Sequence, residues 1–276
     1  MDEVYIGGAL PSQPDIRDYI ARATAHVDFP KEFELPMPKV KFQGMTGSCV
    51  AHAIATVVEY FYHKETGTYV DMSTTYIYGN RRDTKHKGTG MATKDGIKNV
   101  VKYGTVPYDY LIGNSEVPYA IQQFENNVDS LEEIGHNFKF DEYFLLKDDD
   151  AIKTSLMENG PAILAMWWFN DIMIINGVMR TKCDKYTRGS HCMVIYGWDE
   201  TGWKVQNSWG PLWGKNGRAI IPYNVWIKDV WGIKDAASTT TLHIARPFQN
   251  KWSAVLAKVL NMIVGIAYNI THLHKR

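Results

Sequence analysis

The residues Gly47-Ser48-Cys49 place a thiol at the mouth of what reads as a helix. Gly44 and Gly47 mark a tight loop, and Ser48 is a favoured residue type for capping a helix start. The apolar residues that follow fall at Val50, Ala53, Ile54, Val57, Val58 and Phe61, the spacing of one helix face. Gly67, after Thr66, supplies the stop, because glycine tolerates the left-handed conformation that ends helices. Cys49 is therefore expected on the first turn. The first N–H groups of a helix have no partner within it, and the helix dipole puts partial positive charge there. Both effects favour a thiolate, the nucleophilic form of cysteine, and an oxyanion formed beside it. An isolated cysteine is more often an inert core residue, so other residues have to support the chemistry. Two do: His191 and Asn207 read as lying on neighbouring antiparallel strands joined by the turn Glu200-Thr201-Gly202, within hydrogen-bonding reach of each other.

The stretch Gln43-Gly44-Met45-Thr46-Gly47-Ser48-Cys49 leading into a helix resembles the papain family of cysteine peptidases. Two later segments strengthen the resemblance: Gly189-Ser190-His191-Cys192-Met193-Val194-Ile195-Tyr196-Gly197-Trp198, and Trp203-Lys204-Val205-Gln206-Asn207-Ser208-Trp209-Gly210 followed by Trp213-Gly214. From Cys49 to His191 is 142 residues, inside the family's range of roughly 130–150. The resemblance covers most of residues 36–245 and implies an α+β fold of two lobes. A helical lobe comes first, an antiparallel, barrel-like β lobe second, and the cleft lies between them.

The resemblance also implies roles. Cys49 attacks the substrate carbonyl, and His191 takes the thiol proton and later returns it to the leaving amine. Asn207 orients the imidazole, as the third member of a Cys-His-Asn set. Gln43 and the Cys49 backbone N–H stabilise the oxyanion. Gly90 and Met91 on the cleft wall, and Trp209 over the His191–Asn207 bond, are expected to meet the substrate. The reaction is hydrolysis of a polypeptide through a thioester, with no metal or organic cofactor. Thr46 stands where many relatives have a bridging cysteine, and Val50 where many have tryptophan. Cys192, next to His191, reads as a buried packing residue facing the other way, and Cys183 lies in a polar loop.

The 276 residues suffice for one large domain or two lobes. Lys+Arg and Asp+Glu number 30 each, so there is no basic excess to suggest a nucleic-acid partner. Three cysteines make no disulfide framework, which points to a reducing compartment. Residues 1–35 read as an extended arm without a signal peptide, since Asp2 and Glu3 replace the basic start. Its Pro14-Asp15-Ile16-Arg17-Asp18-Tyr19 resembles a leader found in bacterial and viral-type members of the family, too short for the long helical propeptide of others. Packing on the surface and autoinhibition are both open for this arm.

Residues 36–135 form the expected helical lobe, with further helices at Thr74–Tyr78 (opened by Ser73), Thr93–Tyr103 and Pro118–Asn127, and an exposed polar loop from Arg81 to Gly90. Residues 136–246 form the β-rich lobe: strands near Phe138–Phe144, Ala162–Phe169, Gly177–Arg180, His191–Trp198, Trp203–Asn207 and Arg218–Ile221, and a helix over Ala151–Glu158. Asp148-Asp149-Asp150 suits the start of that helix, not a metal site. Residues 247–276 contain an apolar helix at 252–270 with a narrow stripe of Lys258, Asn261, Gly265 and Asn269. Three fates are open to it: docking on its own body, burial in a protein partner, or association with a membrane. The localisation expected is cytoplasmic or virion-associated. Two other functions compete with the peptidase: a cell-wall amidase or peptidoglycan endopeptidase, and a papain-fold structural component of a larger assembly.

Overall fold

The computed structural model describes residues 7–15, 18–21, 28–84, 86–113, 118–183 and 187–234. The described residues all belong to one compact unit. The apolar helix expected at 252–270 lies outside the described residues. Among the described residues, no helix is long and apolar enough to cross a membrane.

The site is organised around helix α1, Cys49–Thr66, which ends at Gly67 with φ 68°. The apolar face legible in the sequence is buried, but so is every residue from Cys49 to Phe61. Polar side chains on the other faces are buried because they find partners. Thr56 Oγ1 donates to the His52 carbonyl at 2.9 Å. Glu59 accepts from the Met72 N–H at 2.8 Å and pairs with Lys41 Nζ at 2.5 Å. Ser48 does not cap the helix with its side chain, which is engaged elsewhere.

Helix α2, Thr74–Gly79, starts as expected, with Ser73 Oγ accepting from the Tyr76 N–H at 3.1 Å. Helix α3, Thr93–Tyr103, stops at Gly104. The loop between them is only partly exposed: Arg81 and Thr84 are buried, and Arg81 Nη1 holds the Gly90 carbonyl at 2.8 Å. Helix α4, Tyr119–Gly135, runs past the expected end at Asn127. Phe124, Val128, Leu131 and Ile134 continue the apolar face and pack around Tyr76, Val106 and Leu111. Helix α5, Asp149–Glu158, is capped by Asp148, whose carboxylate accepts from the Ala151 N–H at 2.8 Å.

The sheet strands, in chain order, begin with three short ones in the arm: β1 Ala9–Leu10, β2 Ile20–Ala21 and β3 Phe33–Glu34. Then come β4 Met91–Ala92, β5 Glu142–Leu146, β6 Ala162–Phe169, β7 Met173–Ile175 and β8 Val178–Arg180. The last four are β9 Thr187–Trp198, β10 Gly202–Gln206, β11 Arg218–Pro222 and β12 Ile227–Lys234. The main sheet runs β2-β5-β12-β6-β9-β10-β11-β8-β7, with β3 also paired to β9. The sequence reading has no β12, whose Ile-Lys-Asp-Val-Trp-Gly-Ile-Lys shows no clean alternation, yet it lies between β5 and β6. The centre is β6 and β9, joined antiparallel with Met166 opposite His191 and Ala165 opposite Cys192. Both are buried, which explains the unbroken apolar run of β6. Helix α1 packs on β9 and β6, so the first turn of the helix faces the middle of the sheet.

Candidate active site

His191 does not open its strand, as the sequence suggested, but lies within β9, and Asn207 follows the last residue of β10. The antiparallel pairing of β9 and β10, shifted by an irregularity at Lys204/Val205, brings the two side chains together. His191 Nε2 and Asn207 Oδ1 are 2.7 Å apart. The Ser208 N–H, which can only donate, meets the same Asn207 oxygen at 2.7 Å. That fixes the amide orientation, and with it the imidazole tautomer: Nε2 carries the hydrogen and Nδ1 is left with the lone pair. The Asn207 Nδ2 is buried without a partner among the described residues.

Cys49 reaches this assembly through the neighbouring residue: the Cys192 backbone N–H donates to the Cys49 sulfur. The Cys192 thiol itself turns to Thr93, at the start of α3. All three cysteines are free. Tryptophans enclose the imidazole. The Trp209 ring lies 4.6 Å from that of His191, and Trp168 meets it edge-on at 5.3 Å. Trp168 was missed in the sequence because it sits inside an apolar run that reads as plain core.

Gln43 is held on all sides. Its N–H donates to the Ser208 carbonyl at 2.8 Å, and its Oε1 accepts from Ser208 Oγ at 2.6 Å. One hydrogen of Nε2 goes to the Thr46 carbonyl at 2.8 Å. The loop carrying Gln43 is thus tied to the segment following Asn207, with Phe42 paired antiparallel to Trp209.

Gly90 and Met91 are at the edge expected to meet substrate, and that edge is already occupied by the chain's own arm. Strand β1 pairs parallel with β4, and the Met91 N–H donates to the Gly8 carbonyl at 2.8 Å. Gly8 backs onto Cys49: a Cβ there would lie 2.3 Å from the Gly47 carbonyl oxygen and 2.8 Å from Cys49 Sγ. Further along the arm, Asp18 and Lys94 form an ion pair at 2.7 Å, with side chains 9% and 4% exposed. Lys94 Nζ also holds the Gln13 carbonyl, and Ser12 bonds to Asp229 on β12.

Burial decides the charge state of the site. Cys49 is fully buried, and desolvation pushes its thiol up to about 12 against the helix-start N–H groups that pull it down. Burial likewise lowers His191 to about 4. The helix-start N–H groups still pull towards the thiolate, but burial outweighs them. Among the described residues, no group of three or more His, Cys, Asp and Glu side chains gathers as a metal site would.

The family model described as papain family cysteine protease matches residues 23–241. A cysteine protease of the mite Blomia tropicalis is 25% identical over 200 residues, 67% of this chain and 57% of that protein. Human cathepsin O is 25% identical over 209 residues, 73% of this chain and 61% of that protein. The chain therefore spans about three fifths of the length of these two curated relatives. An uncharacterised peptidase C1-like protein of Acanthamoeba polyphaga mimivirus is 27% identical over 258 residues, 78% of this chain and 81% of that protein. Among solved structures, xylellain, a cysteine protease from Xylella fastidiosa, has the same fold, with a TM-score of 0.75 at 24% identity over 85% of this chain and 97% of that chain.

Proposed function

The chain belongs to the papain family of cysteine proteases, and from that premise we propose that it hydrolyses peptide bonds through a thioester on Cys49, with a Cys49-His191-Asn207 triad. The observation that carries this reading is the 2.7 Å bond from His191 Nε2 to Asn207 Oδ1, on a histidine whose next residue donates its N–H to the Cys49 sulfur. The tautomer leaves Nδ1 as the base. It takes the Cys49 proton as the sulfur attacks the scissile carbonyl carbon. The resulting oxyanion accepts from the Cys49 N–H and from the second hydrogen of Gln43 Nε2. The imidazolium returns its proton to the amine as the C–N bond breaks, and water then cleaves the thioester.

The arm belongs to the same reading. Gly8 and β1 stand on Cys49 and on the Met91 edge, so a substrate has to displace them. The test is digestion of a labelled peptide library beside purified peptidoglycan. Peptide cleavage is expected, with Cys49→Ala lowering it by several orders of magnitude while the fold is retained. Cleavage of peptidoglycan alone, or equal rates with and without Cys49, would overturn the assignment.

A further inference from the structure

His52 lies one helical turn beyond the nucleophile, buried, and takes no part in the reaction described above. Its Nδ1 is 3.0 Å from the Ser48 carbonyl oxygen and 3.2 Å from Ser48 Oγ. Ser48 Oγ is 2.5 Å from Thr46 Oγ1, which donates to the Gln43 carbonyl at 2.8 Å. The two ends of this chain fix its direction. A carbonyl only accepts, so His52 Nδ1 carries the hydrogen at one end, and the Thr46 hydroxyl spends its own on Gln43 at the other. Thr46 must then accept from Ser48, and Ser48 accepts from His52. The polarity runs His52, Ser48, Thr46, Gln43, without a mismatch.

We propose that His52 is a positioning residue for the oxyanion hole, acting through Ser48 and Thr46 to hold the loop that aims Gln43. The inference rests on the peptidase reading and deepens it. Every other polar group of Gln43 is engaged: the N–H and Oε1 on Ser208, the carbonyl on Thr46, and one Nε2 hydrogen on the Thr46 carbonyl. Among the described residues, only the second Nε2 hydrogen is left for an oxyanion, and its direction depends on where Thr46 stands. The hydrogen-bond chain supplies in the loop a restraint that no disulfide gives, since Cys49, Cys183 and Cys192 are all free. Burial lowers His52 to about 4, so the imidazole is neutral through the neutral range, and the Ser48 carbonyl selects the tautomer with its hydrogen on Nδ1.

The experiment separates a reaction that needs the oxyanion hole from one that does not. Hydrolysis of a peptide p-nitroanilide forms an oxyanion; alkylation of Cys49 by iodoacetamide, a displacement at saturated carbon, forms none. Both are measured on the full chain of the wild type, His52→Leu, His52→Asn and Ser48→Ala. Whatever fraction of molecules has the arm displaced enters both rates, so their ratio cancels it. His52→Leu is expected to lower kcat by about 10- to 100-fold, the scale of a displaced oxyanion donor, with KM and the alkylation rate unchanged. His52→Asn, which restores a side-chain N–H, recovers most of the loss. The double variant His52→Leu/Ser48→Ala is no worse than the weaker single one, because both cut the same chain. Hydrolysis by His52→Leu at the wild-type rate, a parallel fall of both reactions, or no rescue by asparagine would each overturn the proposal. A wild type that alkylates but hydrolyses no peptide would overturn the peptidase reading itself, and this inference with it.

Discussion

At the scale of single residues, the site is a set of hydrogen-bonding decisions. Asn207 has one oxygen and two donors, the Ser208 N–H and His191 Nε2, compete for it. Serving both leaves the amide nitrogen buried and, among the described residues, unpaired, at a cost of about 1–3 kcal/mol. The two bonds hold the imidazole in the tautomer with its hydrogen on Nε2 and leave Nδ1 with a lone pair. Gly8 is a decision about space. With a Cβ due 2.3 Å from a backbone oxygen and 2.8 Å from Cys49 Sγ, the arm has to shift in Gly8→Ala. Solvent reaching Cys49 would bring the thiol down from about 12 and speed its ionisation near neutrality. Gly8→Ala is expected to alkylate at Cys49 at least about tenfold faster than the wild type at pH 7. An unchanged rate would mean that the arm does not control access.

At the scale of elements, the arm is held by several weak attachments in series. Strand β1 lies along β4, β2 along β5, and β3 along β9, where Phe33 stacks on Trp198 at 4.9 Å. A further clasp is Lys94 at the second position of α3, engaging Asp18 and the Gln13 carbonyl. Two-residue strands bury little, so this nearly dry ion pair is the attachment whose loss matters. Breaking such a pair strands a buried charge, which is more disruptive than the pair is stabilising. Asp18→Asn is therefore expected to raise the initial peptidase rate several-fold, and the same change in a chain already carrying Gly8→Ala should add little, since both open one arm. Comparing progress curves for the two single variants and the double checks this. Additive gains would show that the two contacts restrain different motions.

At the scale of the whole molecule, burial of ionisable groups sets the response to acid. His52 and His191 both have their ordinary value of 6.5 lowered to about 4, chiefly by desolvation, with Lys41 and Asp71 as the charged groups acting on His52 besides His191. The unfolded chain takes up these protons as pH falls from 6.5 to 4, the folded chain does not, and stability is lost over that window. Glu59, raised to about 7 by burial despite Lys41, works in the opposite sense and offsets about one of the two protons above pH 4.5. Asp95, Asp149 and Asp229, also raised by burial, add to that offset. The contribution of the two histidines is a loss of stability as pH falls from 6.5, seen as a lower urea midpoint. The loss should shrink in His52→Asn. A midpoint that rises on acidification would contradict the assignment of buried neutral histidines.

What the residues determined by themselves was local. Helix α1, its stop at Gly67, the Ser73 and Asp148 caps and the apolar strand β6 follow from spacing and from caps that act within a few residues. Cys49, His191, Asn207 and Gln43 were legible as a motif through the resemblance to the papain family, which carries those residue types in that order. Other features depend on residues far apart in the chain. Strand β12 lacks the alternation that marks a strand and is defined by β5 and β6 on either side. Trp168 is indistinguishable from its core neighbours until the fold turns it onto His191. The helix start gives Cys49 a local pull towards the thiolate, while the larger opposing effect, desolvation, depends on everything packed around the sulfur. Only the tertiary structure brings Gly8 onto that sulfur, through backbone pairing with Met91 that no side-chain pattern encodes.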